Sequence, residues 1–274
     1  IISGRESRMV PDGFEPARVA VEHRNYYELY SAGGELTAEK SGKLFYSAEN
    51  TDLLPAVGDW VVIKPIADEN KTTITAVLPR KTKFSRKKAG ETTDEQIVAA
   101  NVDTVFIISS LNQDLNYRRI ERYLALAWDN DVKPVVILSK ADLSEDIFGK
   151  LAAAQNALPA TDIHIISAKT GAGMEELFQY FDGNKTVAVI GSSGVGKSTL
   201  INGLLDRELM DVSEIGLYKD KGRHTTTHRE LTIVPGGGLI MDTPGMREIQ
   251  LWEGGEGLSE LFEDIEKLIL ECKF

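Results

Sequence analysis

The chain has a single cysteine, Cys272. No internal disulfide can form, and a reducing, cytoplasmic setting is expected. No apolar run approaches the roughly 20 residues that a membrane-spanning helix needs, so no membrane partner is expected. The first residues, IISGRESRMV, lack the apolar core of a signal peptide. They also lack an initial Met, so a trimmed sequence is expected. Positive charge is short: 31 Lys and Arg face 42 Asp and Glu, a formal net charge of −11. That balance argues against a general nucleic-acid coat protein. What remains is a globular composition, 42% apolar and 27% charged. The 274 residues suffice for two domains of ordinary size.

Residues 1–17 carry no interpretable signal. Residues 18–79 read as short strands: ARVAVEH, YYELYS, KLFYSAE, DWVVIKPI and TTITAVLP. They are β-branched or aromatic and are broken by Gly, Pro and Asn turns. Five short strands in so little chain predict a small antiparallel barrel, OB-like or SH3-like. Residues 80–95 read as a basic linker. Within it, RKTKFSRKK (80–88) holds six basic residues and no acidic one. Lys81, Lys83, Arg86, Lys87 and Lys88 are the candidate RNA-binding residues, with Phe84 interleaved and Arg118, Arg119 and Arg122 as an extension. Phosphate contacts need cations gathered on one face, which a negative net charge does not forbid.

From residue 96 the pattern changes. VDTVFIIS, VKPVVILS, DIHIIS and TVAVI are apolar runs, as expected for strands covered on both faces. Between them, 116–131, 144–157 and 174–180 have helical spacing. Alternating strands and helices predict a mainly parallel α/β sheet over 96–252. RELTIV and GLIMD, joined by PGGG, predict an antiparallel pair. GLSELFEDIEKLILE (257–271) predicts an amphipathic helix within a C-terminal segment, 253–274.

GSSGVGKST (191–199) follows a strand and opens a helix, the context that gives G-x-x-x-x-G-K-S/T its meaning. Glycine lets the backbone curl so that N–H groups point at phosphate oxygens. The expected phosphate cradle is Gly191, Ser192, Ser193, Gly194, Val195, Gly196, Lys197, Ser198 and Thr199. Lys197 is expected on the outer phosphates and Ser198 on Mg²⁺, because a hard cation prefers oxygen. DTPG (242–245) ends a later strand. Asp242 is expected in the Mg²⁺ shell and Gly245 at the terminal phosphate.

SKAD (139–142) and ISAK (166–169) end two further strands. A carboxylate placed like Asp142 accepts two hydrogen bonds from guanine N1 and its exocyclic amine. Adenine offers neither donor there, and a buried acceptor left unpaired rejects it. The stem of Lys140 is expected to stack on the base. Ser139, Ala141, Ser167, Ala168 and Lys169 complete the base site, with the Ala168 N–H toward guanine O6.

The usual GTPase order is phosphate loop, switch threonine, DxxG, NKxD, SAK. Here SKAD and SAK come first, so the order is circularly permuted. A barrel followed by SKAD, SAK, GSSGVGKST, GRHTTTH and DTPG resembles the RsgA/YjeQ family of circularly permuted GTPases. The resemblance covers about Arg18 to Phe274. It implies an N-terminal OB-fold, a central GTPase domain and a C-terminal zinc domain. It also implies GTP hydrolysis stimulated by the small ribosomal subunit and its rRNA, late in maturation of that subunit. Ligands would be GTP or GDP with Mg²⁺, plus Zn²⁺. Cys272 matches the first ligand of the family's zinc motif, and the three others are not among these residues. A monomer is expected.

Ras-like enzymes orient the attacking water with a Gln just after DxxG, but here that position is Met246. The loop GRHTTTH supplies His224 as the candidate for that task, and Thr225 or Thr226 as the Mg²⁺ ligand that reports the γ-phosphate. Two other functions fit the sequence: an RNA-binding assembly factor that holds GTP with little hydrolysis, and a P-loop ATPase or kinase.

Overall fold

The computed structural model describes residues 8–40, 42, 54–66, 70–87, 95–112, 115–205 and 229–242. Thirteen strands and three α-helices lie among them. The first five strands are β1 (Glu15–Glu22), β2 (Tyr27–Ser31), β3 (Gly34–Lys40), β4 (Trp60–Lys64) and β5 (Lys71–Val77). They pair in the ring β1-β2-β3-β5-β4-β1, with β3 and β5 parallel and the other pairs antiparallel. That is the closed ring of an OB-fold. Ala17, Val19, Tyr27, Leu29, Val61, Ile63 and Ile74 fill its interior. KLFYSAE lies outside the described residues, and the third described strand is GELTAEK. Its polar outward positions hide its alternation.

The basic run is not a linker. Lys83–Lys87 is strand β6, paired antiparallel with β7 (Glu95–Ala100). Phe84 is fully buried in the core of the following domain, so it packs rather than stacking on a base. Arg80 is also absorbed: its Nε and Nη2 reach Asp59 Oδ1 and Oδ2 at 2.8 and 2.7 Å. Asp59 has no exposure, and its Oδ2 also accepts from the Ala56 N–H at 2.8 Å.

The second half is a sheet of β8 (Thr104–Ser110), β9 (Lys133–Ser139), β10 (Asp162–Ile165), β11 (Thr186–Gly191), β12 (Glu230–Ile233) and β13 (Leu239–Asp242). The order is β10-β9-β8-β11-β13-β12, parallel except for the β12–β13 hairpin. Every residue of β8 and β11 is buried, as both faces are covered. One face packs on Ile120 and Leu124 of α1 (Tyr117–Trp128) and Ala154 of α2 (Ile147–Ala157). The other packs on Leu200, Ile201 and Leu204 of α3 (Lys197–Leu205). Side-chain caps fix two helix starts: Asn116 accepts from the Arg119 N–H at 3.0 Å, and Asp146 from the Gly149 N–H at 2.8 Å.

The expected helix at 174–180 is a 3-10 helix, Glu175–Tyr180. Three residues per turn put Leu177 and Tyr180 on one line, and both are buried. At the open edge, Lys133 Nζ meets Asp162 Oδ2 at 2.7 Å, and that hydrogen bond holds the Asp162 carboxyl below its ordinary value. Burial, then the charge of Asp162, pushes the Tyr180 hydroxyl up to about 12. Among the described residues no helix is long and apolar enough to cross a membrane. The helix expected at 257–271 lies outside them.

Removing one member of a buried, hydrogen-bonded ion pair leaves the other charge uncompensated. Arg80→Ala should therefore destabilise the chain by about 3–5 kcal/mol. Urea unfolding checks this, and a loss under about 1 kcal/mol, the size of a surface pair, would refute it.

Candidate nucleotide site

The site lies at the carboxyl ends of β8, β9 and β11, where open α/β sheets bind ligands. Residues 191–199 leave β11 and turn into α3. The turn needs three positive φ values, Gly191 at 149°, Gly194 at 75° and Gly196 at 100°. A Cβ on Gly191 would stand 2.5 Å from the Ile108 carbonyl oxygen, so only glycine fits the strand end. The N–H groups of Ser193, Gly194, Val195 and Gly196 donate to no backbone acceptor among the described residues. They form a nest of donors at a helix N-terminus, where the backbone dipoles favour an anion. Lys197 Nζ spans the loop, donating to the Gly191 and Ser192 carbonyls at 2.9 and 2.6 Å. Ser198 and Thr199 follow in the first turn of α3.

Ser139 ends β9 and Lys140 adopts a left-handed conformation (φ 59°). That reversal starts the short 3-10 turn Ala141–Leu143, which carries Asp142 out of the sheet. The Ala141 N–H donates to the Ile166 carbonyl at 3.0 Å, laying this turn against the segment after β10. There Ser167 Oγ donates to Asp142 Oδ1 at 2.6 Å. Ala168 is half-buried and Lys169 exposed beside it. The Asp142 carboxylate is not buried: it stands at the open mouth of the site, with one oxygen held by Ser167.

These two groups are tied together. Ser139 Oγ donates to the Val195 carbonyl at 2.6 Å, and Lys140 Nζ donates to the Gly194 carbonyl. Asp242 ends β13 in register with Val189 of β11. Two strands that converge on the loop therefore bring Asp242 beside its base.

The donor set fits a nucleoside triphosphate. The loop offers N–H groups and an ammonium, Asp142 offers an acceptor edge, and Ser198 and Asp242 offer the oxygens a hard cation takes. Gly245, His224, Thr225, Thr226, Lys88 and Cys272 lie outside the described residues. Among those described, no three His, Cys, Asp or Glu side chains gather as a metal site. Sequence reading misses two supports of the site. One is the Ser167–Asp142 bond, which the spacing of SAK alone does not reveal. The other is Lys150, whose Nζ donates to the Leu111 carbonyl at 2.5 Å and the Ser144 hydroxyl at 3.0 Å, anchoring α2 to the end of β8.

A closed five-stranded barrel joined to a six-stranded P-loop sheet, with its base loops ahead of its phosphate loop, defines a circularly permuted GTPase. A family model described as RsgA GTPase matches residues 77–252. Small ribosomal subunit biogenesis GTPase RsgA of Opitutus terrae is 44% identical over 273 residues, covering 96% of this chain and 74% of that protein. RsgA 2 of Lactiplantibacillus plantarum is 44% identical over 257 residues, covering 94% and 72%. The crystal structure of YjeQ from Thermotoga maritima superposes with a TM-score of 0.70 at 27% identity, covering 92% of this chain and 82% of that one. The chain belongs to the RsgA GTPase family, whose members hydrolyse GTP with Mg²⁺.

Without its hydroxyl, Ser139 would leave the buried Val195 carbonyl without this donor, a loss of about 1–3 kcal/mol. Ser139→Ala should lower the stability of the nucleotide-free protein by that amount and, by releasing the base loop from the phosphate loop, weaken GDP binding. Equilibrium binding of fluorescent GDP measures it, and unchanged affinity would refute the role of this bond.

Proposed function

We propose that this chain is a ribosome-stimulated GTPase. It binds the small ribosomal subunit and its rRNA and hydrolyses GTP to GDP and phosphate during late maturation of that subunit, in the cytoplasm and as a monomer. The observation that carries the reading is the closure of the base loop on the phosphate loop through Ser139 and Lys140. The names of the relatives support the ribosomal half.

Asp142 selects guanine through N1 and the exocyclic amine, and Ser167 fixes the rotation of its carboxylate. Lys140 covers the base, and the Ala168 N–H meets guanine O6, with Ser139, Ala141 and Lys169 shaping the slot. Gly191 to Gly196 wrap the phosphates, Lys197 holds the outer two, and Thr199 continues the first turn. Ser198, Asp242 and one of Thr225 or Thr226 supply oxygens to Mg²⁺, which when bound neutralises charge on the phosphates. Gly245 contacts the terminal phosphate through its N–H. Met246 can neither donate nor accept usefully where Ras-like enzymes hold Gln, so His224 orients the attacking water. Cys272 would supply one thiolate to the zinc site that the family resemblance implies, and a structural site takes four ligands.

For rRNA, Lys81 and Lys83 are exposed near the start of β6, and Arg86, Lys87 and Lys88 continue the run. The α1 helix supports an extension. It carries Arg118, Arg119 and Arg122 toward its positive end, no acidic residue in its first turn and no basic one in its last. Charges placed against the helix dipole destabilise it by about 0.3–1 kcal/mol each. A phosphate backbone beside Arg118 and Arg122, both exposed, reverses that penalty.

His224→Ala should abolish subunit-stimulated turnover and leave GTP affinity within about twofold. Phosphate release with and without purified small subunits, beside GTP binding, tests it. Equal loss of both would remove His224 from catalysis, and unstimulated wild-type turnover would favour the GTP-holding assembly factor instead. Neutralising Lys81, Lys83, Arg86, Lys87 and Lys88 should flatten the salt dependence of subunit binding, by about one unit of slope for each phosphate no longer neutralised. An unchanged slope would discard the patch.

A further inference from the structure

The barrel is not hung from the GTPase sheet by a loose tether. Arg18, in β1, is only 7% exposed, and its Nη2 leaves the barrel to donate to the Asn101 carbonyl at 2.9 Å and Thr186 Oγ1 at 3.1 Å. Its guanidinium lies 5.1 Å from the centre of the Trp60 ring, within the barrel. Asn101 takes a left-handed conformation (φ 54°), and its side-chain amide donates to the Gly58 carbonyl at 3.0 Å. Val57, beside Gly58, is buried in the GTPase core with Leu231 and Met241. Burying a guanidinium is unfavourable unless its donors are used. A hinge between independently moving domains has no need of one.

This clasp leads to the nucleotide site by two short routes. Across the sheet, Val21 of β1 pairs with Glu230 of β12, and Glu230 pairs with Asp242 of β13. The barrel is thus two strand spacings, roughly 10 Å, from Asp242. Beside it, Gly58 sits against Met241, the residue before Asp242. A Cβ there would stand 2.9 Å from Met241 Cε and 2.1 Å from the Ala100 carbonyl oxygen.

We infer that Arg18 is a positioning residue through which a load on the barrel reaches Asp242. A partner that bears on the barrel then acts on turnover through β1, β12 and β13, and not only by holding the enzyme in place. The identity of the load rests on the ribosomal reading above. The coupling itself does not, because coupling between two sites is reciprocal in their binding free energies. If the barrel is felt at Asp242, the nucleotide must be felt at the barrel.

The test uses the full chain with Trp128→Phe and Trp252→Phe, leaving Trp60 as the single tryptophan reporter. Exchanging GDP for a non-hydrolysable GTP analogue should change Trp60 emission, and Arg18→Gln should abolish that change with GDP affinity within twofold. Thr186→Val, which removes one of the two acceptors, should reduce it. Identical Trp60 emission in both nucleotide states would overturn the proposal, whether or not subunits stimulate the enzyme. With small subunits titrated in, Arg18→Gln should keep basal turnover and the half-saturating subunit concentration within threefold while maximal stimulation falls at least tenfold. Arg18→Lys, which keeps a buried donor, should recover part of it. Full stimulation in a folded Arg18→Gln chain would also refute the inference, as would parallel loss of basal turnover, GDP affinity and thermal midpoint. If wild type is not stimulated at all, the ribosomal reading fails and the Trp60 measurement alone decides the coupling.

Discussion

The site depends on one hydroxyl crossing between two loops. Ser139 Oγ reaches the Val195 carbonyl, and with it the end of β9 is bonded to the middle of the phosphate loop. A base and a triphosphate belong to one molecule, so the groups that read them must keep a fixed separation. Fixing it in advance is what makes such a site discriminate. Serine performs here what the longer Asn performs in most GTPases. Its short side chain demands that the strand end lie close to the loop. The 2.6 Å bond from Ser139 Oγ to the Val195 carbonyl shows that it does.

From this follows the physical meaning of the permuted order. Chain order is irrelevant to a hydrogen bond between β9 and the phosphate loop, provided the sheet order is unchanged. The sheet order β10-β9-β8-β11-β13-β12 puts the base strands and the phosphate strand on one continuous parallel ladder. What permutation alters is what each end is attached to. The edge strand β12 is occupied by β1 of the barrel, and the strand carrying Asp242 is its immediate neighbour. The barrel's position is therefore part of the catalytic sheet's geometry and not an appendage to it.

Much of this is legible in the residues, and the losses have local causes. The apolar runs at β8, β9 and β11 announce themselves because strands buried on both faces carry no polar alternation to interpret. GSSGVGKST and SKAD are readable because glycine and carboxylate at fixed spacing have few other uses between a strand and a helix. GELTAEK escapes notice because a barrel strand with one wet face shows only Leu36 and Ala38 to the interior. The run 80–88 misleads through its charge. Its cations dominate its composition, yet Arg80 bonds to buried Asp59 and Phe84 faces inward, and a strand with one apolar residue among basic and polar ones, KFSRK, mimics a solvated linker. The carboxylate of Asp142 stands open with one oxygen held by Ser167, from the segment after β10, a bond that the spacing of the two motifs does not reveal.

The two edges of the sheet are solved differently, and the difference is informative. An unpaired edge invites pairing with other chains. On the β12 side the protein fills the edge with its own barrel. On the β10 side the edge strand is only four residues long, and the side chains on it are engaged sideways: Asp162 with Lys133, and His164 with Glu176 and Tyr180 at 2.9 and 2.8 Å. A short, polar, internally satisfied edge needs no cover. The filled edge is the one next to Asp242, and covering it with a five-stranded barrel exceeds what protection alone requires. A few charged residues would have sufficed there too. The barrel sits two strand spacings from Asp242, so a displacement of β1 passes through β12 alone before it reaches that carboxylate.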